Sequence, residues 1–239
     1  MKKIVLLNQR SGTALAIETA ARCLEDASPK EIVRWALETY APRIVLACSF
    51  GGATGIAALD VALKLDRTTP VYYLDTGLLF PETYALVERI AAVYGIDPVP
   101  VRPAASVAEQ AAVFGPELWK RDPDACCSLR KLEPQSDFLA GYDAWITGIR
   151  RDQTEWRSDA PVVQWDAKFD LVKVNPFARW DEAKVWAYVR FHNLPYNALH
   201  DAGYPSLGCA PCTRPIAAGE DVRAGRWPGF GKTECGLHR

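Results

Sequence analysis

Cys235 sits in the run Lys232-Thr233-Glu234-Cys235-Gly236-Leu237-His238-Arg239, close to the C-terminal end of a 239-residue chain. This is a poor position for a core residue. Lys232, His238 and Arg239 are potential cations around it. The thiolate is the nucleophilic form of cysteine, and neighbouring positive charge stabilises it. Chain ends are also where mobility concentrates. A reactive thiol on a mobile arm could reach a substrate and then swing out to meet a second protein. The chemistry expected of such a thiol is covalent and passes through a sulfur intermediate. His238 either helps hold Cys235 ionised or is an exposed, unpaired tail residue.

Four further cysteines form two close pairs, Cys126-Cys127 and Cys209-Ala210-Pro211-Cys212. Four thiolates suit either a tetrahedral zinc site or a cubane iron–sulfur cluster. The adjacent pair is the harder one to place, because neighbouring side chains diverge. A cubane eases that demand by offering separate metal corners. A redox dithiol at Cys209 and Cys212 is the rival reading of that half. The total of seven cysteines is odd, and in a reducing compartment metal or thiol chemistry explains them better than disulfides. Cys23 and Cys48 are expected to be small buried hydrophobes. Basic residues cluster beside the sulfurs: Arg130 and Lys131 follow the first pair, and Arg214, Arg223 and Arg226 follow the second. Arg150, Arg151 and Arg157 follow Gly148. Guanidinium groups match phosphate and sulfate by forked hydrogen bonds, although any one of these residues taken singly reads as a solvated surface charge.

These residues must be positioned by a scaffold, and its outline is legible. Residues 13–25 read as a helix. Ser28-Pro29-Lys30-Glu31 is a capping box with proline at the first helical position, opening a helix through Thr39. Residues 43–48 read as a buried strand, followed by Ser49-Phe50-Gly51-Gly52-Ala53-Thr54-Gly55 and a helix to Leu65. A strand at 71–74 ends in Asp75-Thr76-Gly77, and a helix at 81–94 and a strand at 99–102 follow. A strand at 142–147 ends at Gly148. Residues 162–165 and 170–174 pair as a hairpin, and 181–192 form a helix. Alternating strands and helices of this length indicate an α/β protein with a parallel sheet covered on both faces. The loops after Cys48, Leu74 and Thr147 then share the edge where ligands collect. The glycine turn at 49–55 either presents N–H groups to an anion at a helix start or is a tight turn with no ligand.

Composition narrows the function. An apolar fraction of 49% with 24% charged residues describes a globular protein with a sizeable core. Net charge −1 and a pI near 6.3 do not advertise nucleic acid. The apolar run at 4–7 is too short for a signal-peptide core, and no stretch has transmembrane length, so a cytoplasmic protein without a membrane role is expected. The full phosphate-loop pattern Gly-x-x-x-x-Gly-Lys-Ser/Thr is absent, because Gly231-Lys232-Thr233 has Arg226 where the first glycine is needed, and there is no Gly-x-Ser-x-Gly elbow. Only His192, His200 and His238 are available for histidine-based zinc catalysis. His200 reads as a structural hydrogen-bonding residue.

Taken together, these residues resemble the assimilatory sulfonucleotide reductases, specifically the adenylyl-sulfate (APS) reductases that carry a cluster. The resemblance rests on Ser49-Phe50-Gly51-Gly52, Leu74-Asp75-Thr76-Gly77, Cys126-Cys127-Ser128-Leu129-Arg130-Lys131 and the stretch from Gly148 to Arg157. It continues through Leu199-His200-Asp201-Ala202-Gly203-Tyr204, Gly208-Cys209-Ala210-Pro211-Cys212-Thr213-Arg214 and Glu234-Cys235-Gly236-Leu237-His238. It implies an adenine nucleotide α-hydrolase-like fold, related to the PP-loop ATPases, in one domain spanning 1–239 with 228–239 as a mobile catalytic tail. A 4Fe-4S cluster on Cys126, Cys127, Cys209 and Cys212 is implied, with Cys235 as nucleophile. Lys131, Arg157, Arg223 and Arg226 would hold the phosphosulfate; Ser49, Phe50, Gly51, Gly52, Leu74, Thr76 and Gly148 would line the nucleotide site. The implied partners are a small sulfonucleotide and thioredoxin or a similar dithiol protein; a homo-oligomer is left open. Thr54 and Gly55 depart from the family pattern, which often has acidic residues there. Reduction of the 3′-phosphorylated substrate, PAPS, with the cluster retained is the alternative. An ATP-dependent tRNA-thiolating PP-loop enzyme is a weaker one, because the first loop lacks the Asp that chemistry needs.

Overall fold

A computed structural model describes residues 14–232 and 234–238 of the chain. The expectations placed on residues 4–7, Thr13, Thr233 and Arg239 lie outside those residues. Helix α1 covers 14–24. It is followed by α2 (Pro29–Tyr40), β1 (Ile44–Ala47), α3 (Ala53–Leu65), β2 (Val71–Leu74), α4 (Pro81–Tyr94) and β3 (Val99–Val101). The middle of the chain holds α5 (Val107–Phe114), α6 (Leu118–Arg121), α7 (Pro123–Cys127), a π-helical turn (Ser128–Leu132) and α8 (Glu133–Leu139). Then come β4 (Ala144–Ile146), β5 (Val163–Asp166), β6 (Leu171–Val174) and α9 (Glu182–Phe191).

The expected starts and stops have visible causes. Ser28 accepts a hydrogen bond from the Glu31 N–H and the Glu31 carboxylate reaches back to the Ser28 N–H, completing the capping box on α2. Asp181 caps α9 through the Lys184 N–H at 2.7 Å. Each satisfies a first-turn donor that the helix itself leaves open. Gly52 caps α3 with no side-chain bond, so that helix start supplies no group of its own to its first-turn N–H donors.

The six strands form one sheet in the order β3-β2-β1-β4-β6-β5. All neighbours pair in parallel except β5, which lies antiparallel to β6 in the expected hairpin, with Trp165 opposite Val172. Alternation along β1 divides the core. Ile44 and Leu46 join the larger cluster, with Ile32 and Val33 of α2, Ile56 and Leu59 of α3 and Val185 of α9. Val45 faces the opposite side, with Trp145, Leu139 and Leu171. Helix α3 is buried at every position from Ala53 to Leu63, as befits a helix at the centre of a layered α/β protein. Asp60 on that helix is 1% exposed and accepts hydrogen bonds from Lys64 (2.8 Å), Tyr94 (2.8 Å) and Tyr188 (2.6 Å), tying α3 to α4 and α9. A buried carboxylate is tolerable only when its lone pairs are met in this way.

Strand order reverses direction between β1 and β4, which makes their C-terminal ends the switch point where ligands bind in open α/β sheets. Gly148, just past β4, lies against the start of α3: a Cβ there would come within 3.0 Å of the Gly55 backbone nitrogen. The close approach of two backbones at the floor of the switch point therefore depends on glycine.

The cysteine expectations divide. Cys48 is buried as anticipated, and burial pushes its thiol up to about 12. Cys23 is exposed: it stands on the outer side of α1, where none of the described residues covers it.

Candidate active site

A cleft of about 290 Å³ opens at the switch point. Ser49, Gly51 and Gly52 from the loop after β1 line it, with Leu74, Thr76, Gly148, Lys131, Arg157, Arg223, Arg226 and Cys235. Phe50 is the one nucleotide-site candidate that does not line it. Its backbone is left-handed (φ 51°), its side chain is fully buried, and its ring packs edge-on to Tyr73 at 5.6 Å. Phe50 supports the loop from beneath.

The basic residues sort into cleft and scaffold. Arg157 donates to Gln153 Oε1 and, at 2.7 Å, to Glu234. Arg226 donates to the Leu207 carbonyl at 2.9 Å and stacks its guanidinium on Trp227 at 4.4 Å. Gly208 permits this placement, since a Cβ at 208 would lie 2.2 Å from the Arg226 Nη2. Arg130, Arg151 and Arg214 do not line the cleft. Arg130 is spent on the Thr76 carbonyl (2.6 Å) and Gln110 (3.0 Å), fastening the loop after β2 to the cysteine helix. Arg151 pairs with Glu25 and Arg214 with Glu220. Arg150 lines the cleft but is held by Thr54 Oγ1 at 2.6 Å and by Asp152 at 2.8 Å. The threonine that departs from the family pattern thus has a definite partner.

Cys126, Cys127, Cys209 and Cys212 line a second, small cavity beside the cleft. Cys126 and Cys127 end α7, and the chain widens at once into the π-turn Ser128–Leu132, a helix irregularity that often marks functional sites. Both side chains are buried on the same cavity although they are sequence neighbours. None of the four is in a disulfide. Gln110 points its amide at Cys126 (3.9 Å), and the Thr76 hydroxyl lies 3.3 Å from the Cys209 sulfur. Burial, reinforced by the Cys209 sulfur, pushes Cys212 up to about 12, and burial also raises Cys126 and Cys127. Among the described residues no three His, Cys, Asp or Glu side chains converge tightly enough to hold a single metal ion. Four soft sulfur donors spread around one closed cavity fit a polynuclear iron–sulfur group.

Lys131 lies between the two cavities and lines both. Burial alone would lower its ammonium, but the sulfurs of Cys209, Cys235 and Cys127 outweigh burial and hold it above its ordinary value.

Glu234, Cys235, Leu237 and His238 form part of the cleft wall. Glu234 is 3% exposed, and the partly buried Cys235 packs against Cys209, Cys212 and Trp227. Lys168 donates to the Gly236 carbonyl, and Leu237 joins the core cluster around Val45 and Trp145. The His238 ring stacks on Trp145 at 5.7 Å with 14° between planes. Burial, followed by the charges of Lys173, Arg157, Lys168 and Arg223, holds His238 well below its ordinary value. The ring is therefore neutral at neutral pH and supplies no positive charge beside Cys235. A depressed histidine pKa gives docking that is intact above the free value near 6.5 and weakens as pH falls below it, because the released tail takes up the proton. On acidification from pH 7 to 5, histidine NMR should show the Trp145 ring-current shift of His238 collapsing; a shift constant over that range would contradict this.

Sequence reasoning missed Trp145, Lys168 and Lys173 as the platform for the tail, and gave no role to Thr154 and Gln153, although both fall within the Gly148–Arg157 motif.

The switch point between β1 and β4, with a glycine turn feeding a buried central helix, defines an α/β protein of the adenine nucleotide α-hydrolase-like kind. The chain belongs to the family of the phosphoadenosine phosphosulfate reductase domain, whose model matches residues 43–215. It is 48% identical over 210 residues to adenosine 5′-phosphosulfate reductase 2 of Bacillus subtilis, covering 87% of this chain and 89% of that one. It is 46% identical over 225 residues to a phosphoadenosine 5′-phosphosulfate reductase of Gloeobacter violaceus, covering 93% of each. Among solved structures, the phosphate complex of the phosphoadenylyl-sulfate reductase from Candida auris superposes with a TM-score of 0.73 at 33% identity, over 82% of this chain and 94% of that one.

Proposed function

We propose that this chain reduces adenosine 5′-phosphosulfate to sulfite and AMP in assimilatory sulfate reduction, with Cys235 as nucleophile and thioredoxin or a similar dithiol protein as reductant. The observation that carries the reading is the meeting of Cys235 with Lys131, Arg157, Arg223 and Arg226 in one cleft at the switch point. The names of the relatives support the substrate class.

In the first step the Cys235 sulfur bonds to the sulfuryl sulfur, and the sulfur–oxygen bond to the phosphate breaks with its electron pair leaving on AMP. The four cations offset the repulsion between a thiolate and a polyanion, and they are oriented before the reaction begins. In the second step a thiolate of the partner attacks the Cys235 sulfur. The bond to the sulfite group breaks with its electron pair, sulfite leaves, and a mixed disulfide remains. The partner's second thiolate resolves that disulfide and returns Cys235, so both electrons come from the dithiol. The covalent intermediate predicts ping-pong kinetics.

The partner must reach Cys235, which in the cleft is partly buried. We therefore read the chain as one domain in which residues 228–239 form a mobile catalytic tail that closes for the first step and opens for the second. Cys126, Cys127, Cys209 and Cys212 would hold a 4Fe-4S cluster. When bound, it would keep four buried thiols ionised next to Lys131. No described helix is long and apolar enough to cross a membrane, and a thioredoxin-dependent reaction fits the reducing cytoplasm.

The test is sulfite release by anaerobically prepared protein, with thioredoxin as reductant and APS and PAPS in parallel. Faster turnover of APS is expected. Preference for PAPS would reassign the substrate, and no sulfite from either would overturn the reading.

A further inference from the structure

Glu234 is the only acid among residues 228–239, and it has no part in the steps above. Its carboxylate is nevertheless the most deeply held group of the tail. Arg157 Nη2 donates to it at 2.7 Å, Thr154 Oγ1 donates at 3.3 Å, and Arg223 Nη2 lies 3.8 Å away. The Arg157–Glu234 pair is nearly closed to solvent, with side chains 11% and 2% exposed. The other polar tail contacts differ. Lys232 pairs with Asp124, whose side chain is 83% exposed, and Lys168 meets only a backbone carbonyl. Exposed pairs fix little geometry, whereas a buried charge stripped of its partner is strongly unfavourable. Arg157 is itself braced by Gln153, and its buried Nε has no partner. The guanidinium thus holds the tail with one nitrogen and retains a donor on another edge.

We propose that Glu234 is a positioning residue: its carboxylate, docked on Arg157 and Arg223, registers the tail so that the adjacent Cys235 faces the cations that receive the substrate anion. The inference rests on Cys235 being the nucleophile. Glu234 touches no reacting atom and acts through the two arginines. Loss of its charge should leave the cleft intact and misplace the sulfur.

The test uses the full-length holoenzyme with Glu234→Gln, which keeps shape and removes charge, and Glu234→Asp, which keeps charge and shortens the reach. Cys235 alkylation by N-ethylmaleimide is followed without substrate by mass spectrometry of the tail peptide. For Glu234→Gln, alkylation should quicken several-fold. Its kcat should fall by about tenfold to a hundredfold, as small misplacements of a reacting group do, while KM changes by less than about threefold. Glu234→Asp should fall between Glu234→Gln and wild type in both readouts. Alkylation and kcat within about twofold of wild type for both variants would overturn the inference, as would faster alkylation with unchanged kcat. The alkylation arm needs no substrate. Absence of a sulfonated Cys235 in the wild type would instead overturn the assignment of the nucleophile, whatever the alkylation rates.

Discussion

Cys235→Ser is expected to lower sulfite release by at least about a thousandfold, with wild-type folding and visible absorbance. Two independent losses combine. A serine hydroxyl is not ionised near neutral pH, and the surrounding cations do not bring it within range, so the first bond formation stalls. Any sulfate ester that did form would give the dithiol an oxygen to attack instead of a sulfur, and no disulfide can result. The substitution exchanges one small atom at a partly buried position packed against Cys209, Cys212 and Trp227, so the fold has little reason to respond. Labelled APS without reductant should add a sulfonate to the tail peptide of the wild type and not of the variant. Sulfite formation at a tenth of the wild-type rate or more would remove Cys235 from the mechanism.

Lys131→Met should lower kcat/KM by about 10²–10³-fold, the usual cost of deleting one preorganised charge at a developing anion. Methionine nearly matches the length and fills the buried space, so the loss would be of charge and not of packing. The sulfurs of Cys209, Cys235 and Cys127 hold the ammonium above its ordinary value. Lys131 is therefore protonated throughout the neutral and mildly alkaline range, and the wild-type pH–rate profile should carry no limb from it. Rate measurements between pH 6 and 9, with iron content determined in parallel, check both points. A Lys131→Met enzyme with normal iron and normal turnover would show that this charge is idle.

The scaffold was legible where local chemistry decides structure. Ser28 with Glu31, and Asp181 ahead of α9, mark helix starts through bonds made within one turn. The apolar runs of β1, β2 and β4 are buried on both faces, as their composition indicates. Much of the candidate site was legible for another reason: Cys126-Cys127, Cys209 and Cys212 have few uses apart from ligation or redox chemistry. The failures concern pairings across distance. Arg151 and Glu25 are 126 positions apart, and Arg130 and Thr76 are 54 apart. Nothing local distinguishes those arginines from Arg157 or Arg226, which reach the cleft. Phe50 belongs by sequence to the glycine loop, yet a left-handed backbone turns its ring into the core. His238 looked like a cation because a sequence does not show that Trp145 and Lys173 lie beneath it. The exposure of Cys23 is equally non-local, since it depends on which elements cover α1.

The space denied at position 208 bears on how this cleft can diversify. Arg226 reaches the cleft by lying across a residue with no side chain. The smallest residue in the wall therefore sets the reach of one of the largest. Even a methyl group there would displace the guanidinium, so mutational drift at 208 is coupled to the charge at 226, and a descendant that gained bulk at the first position would have to recruit its cation from elsewhere.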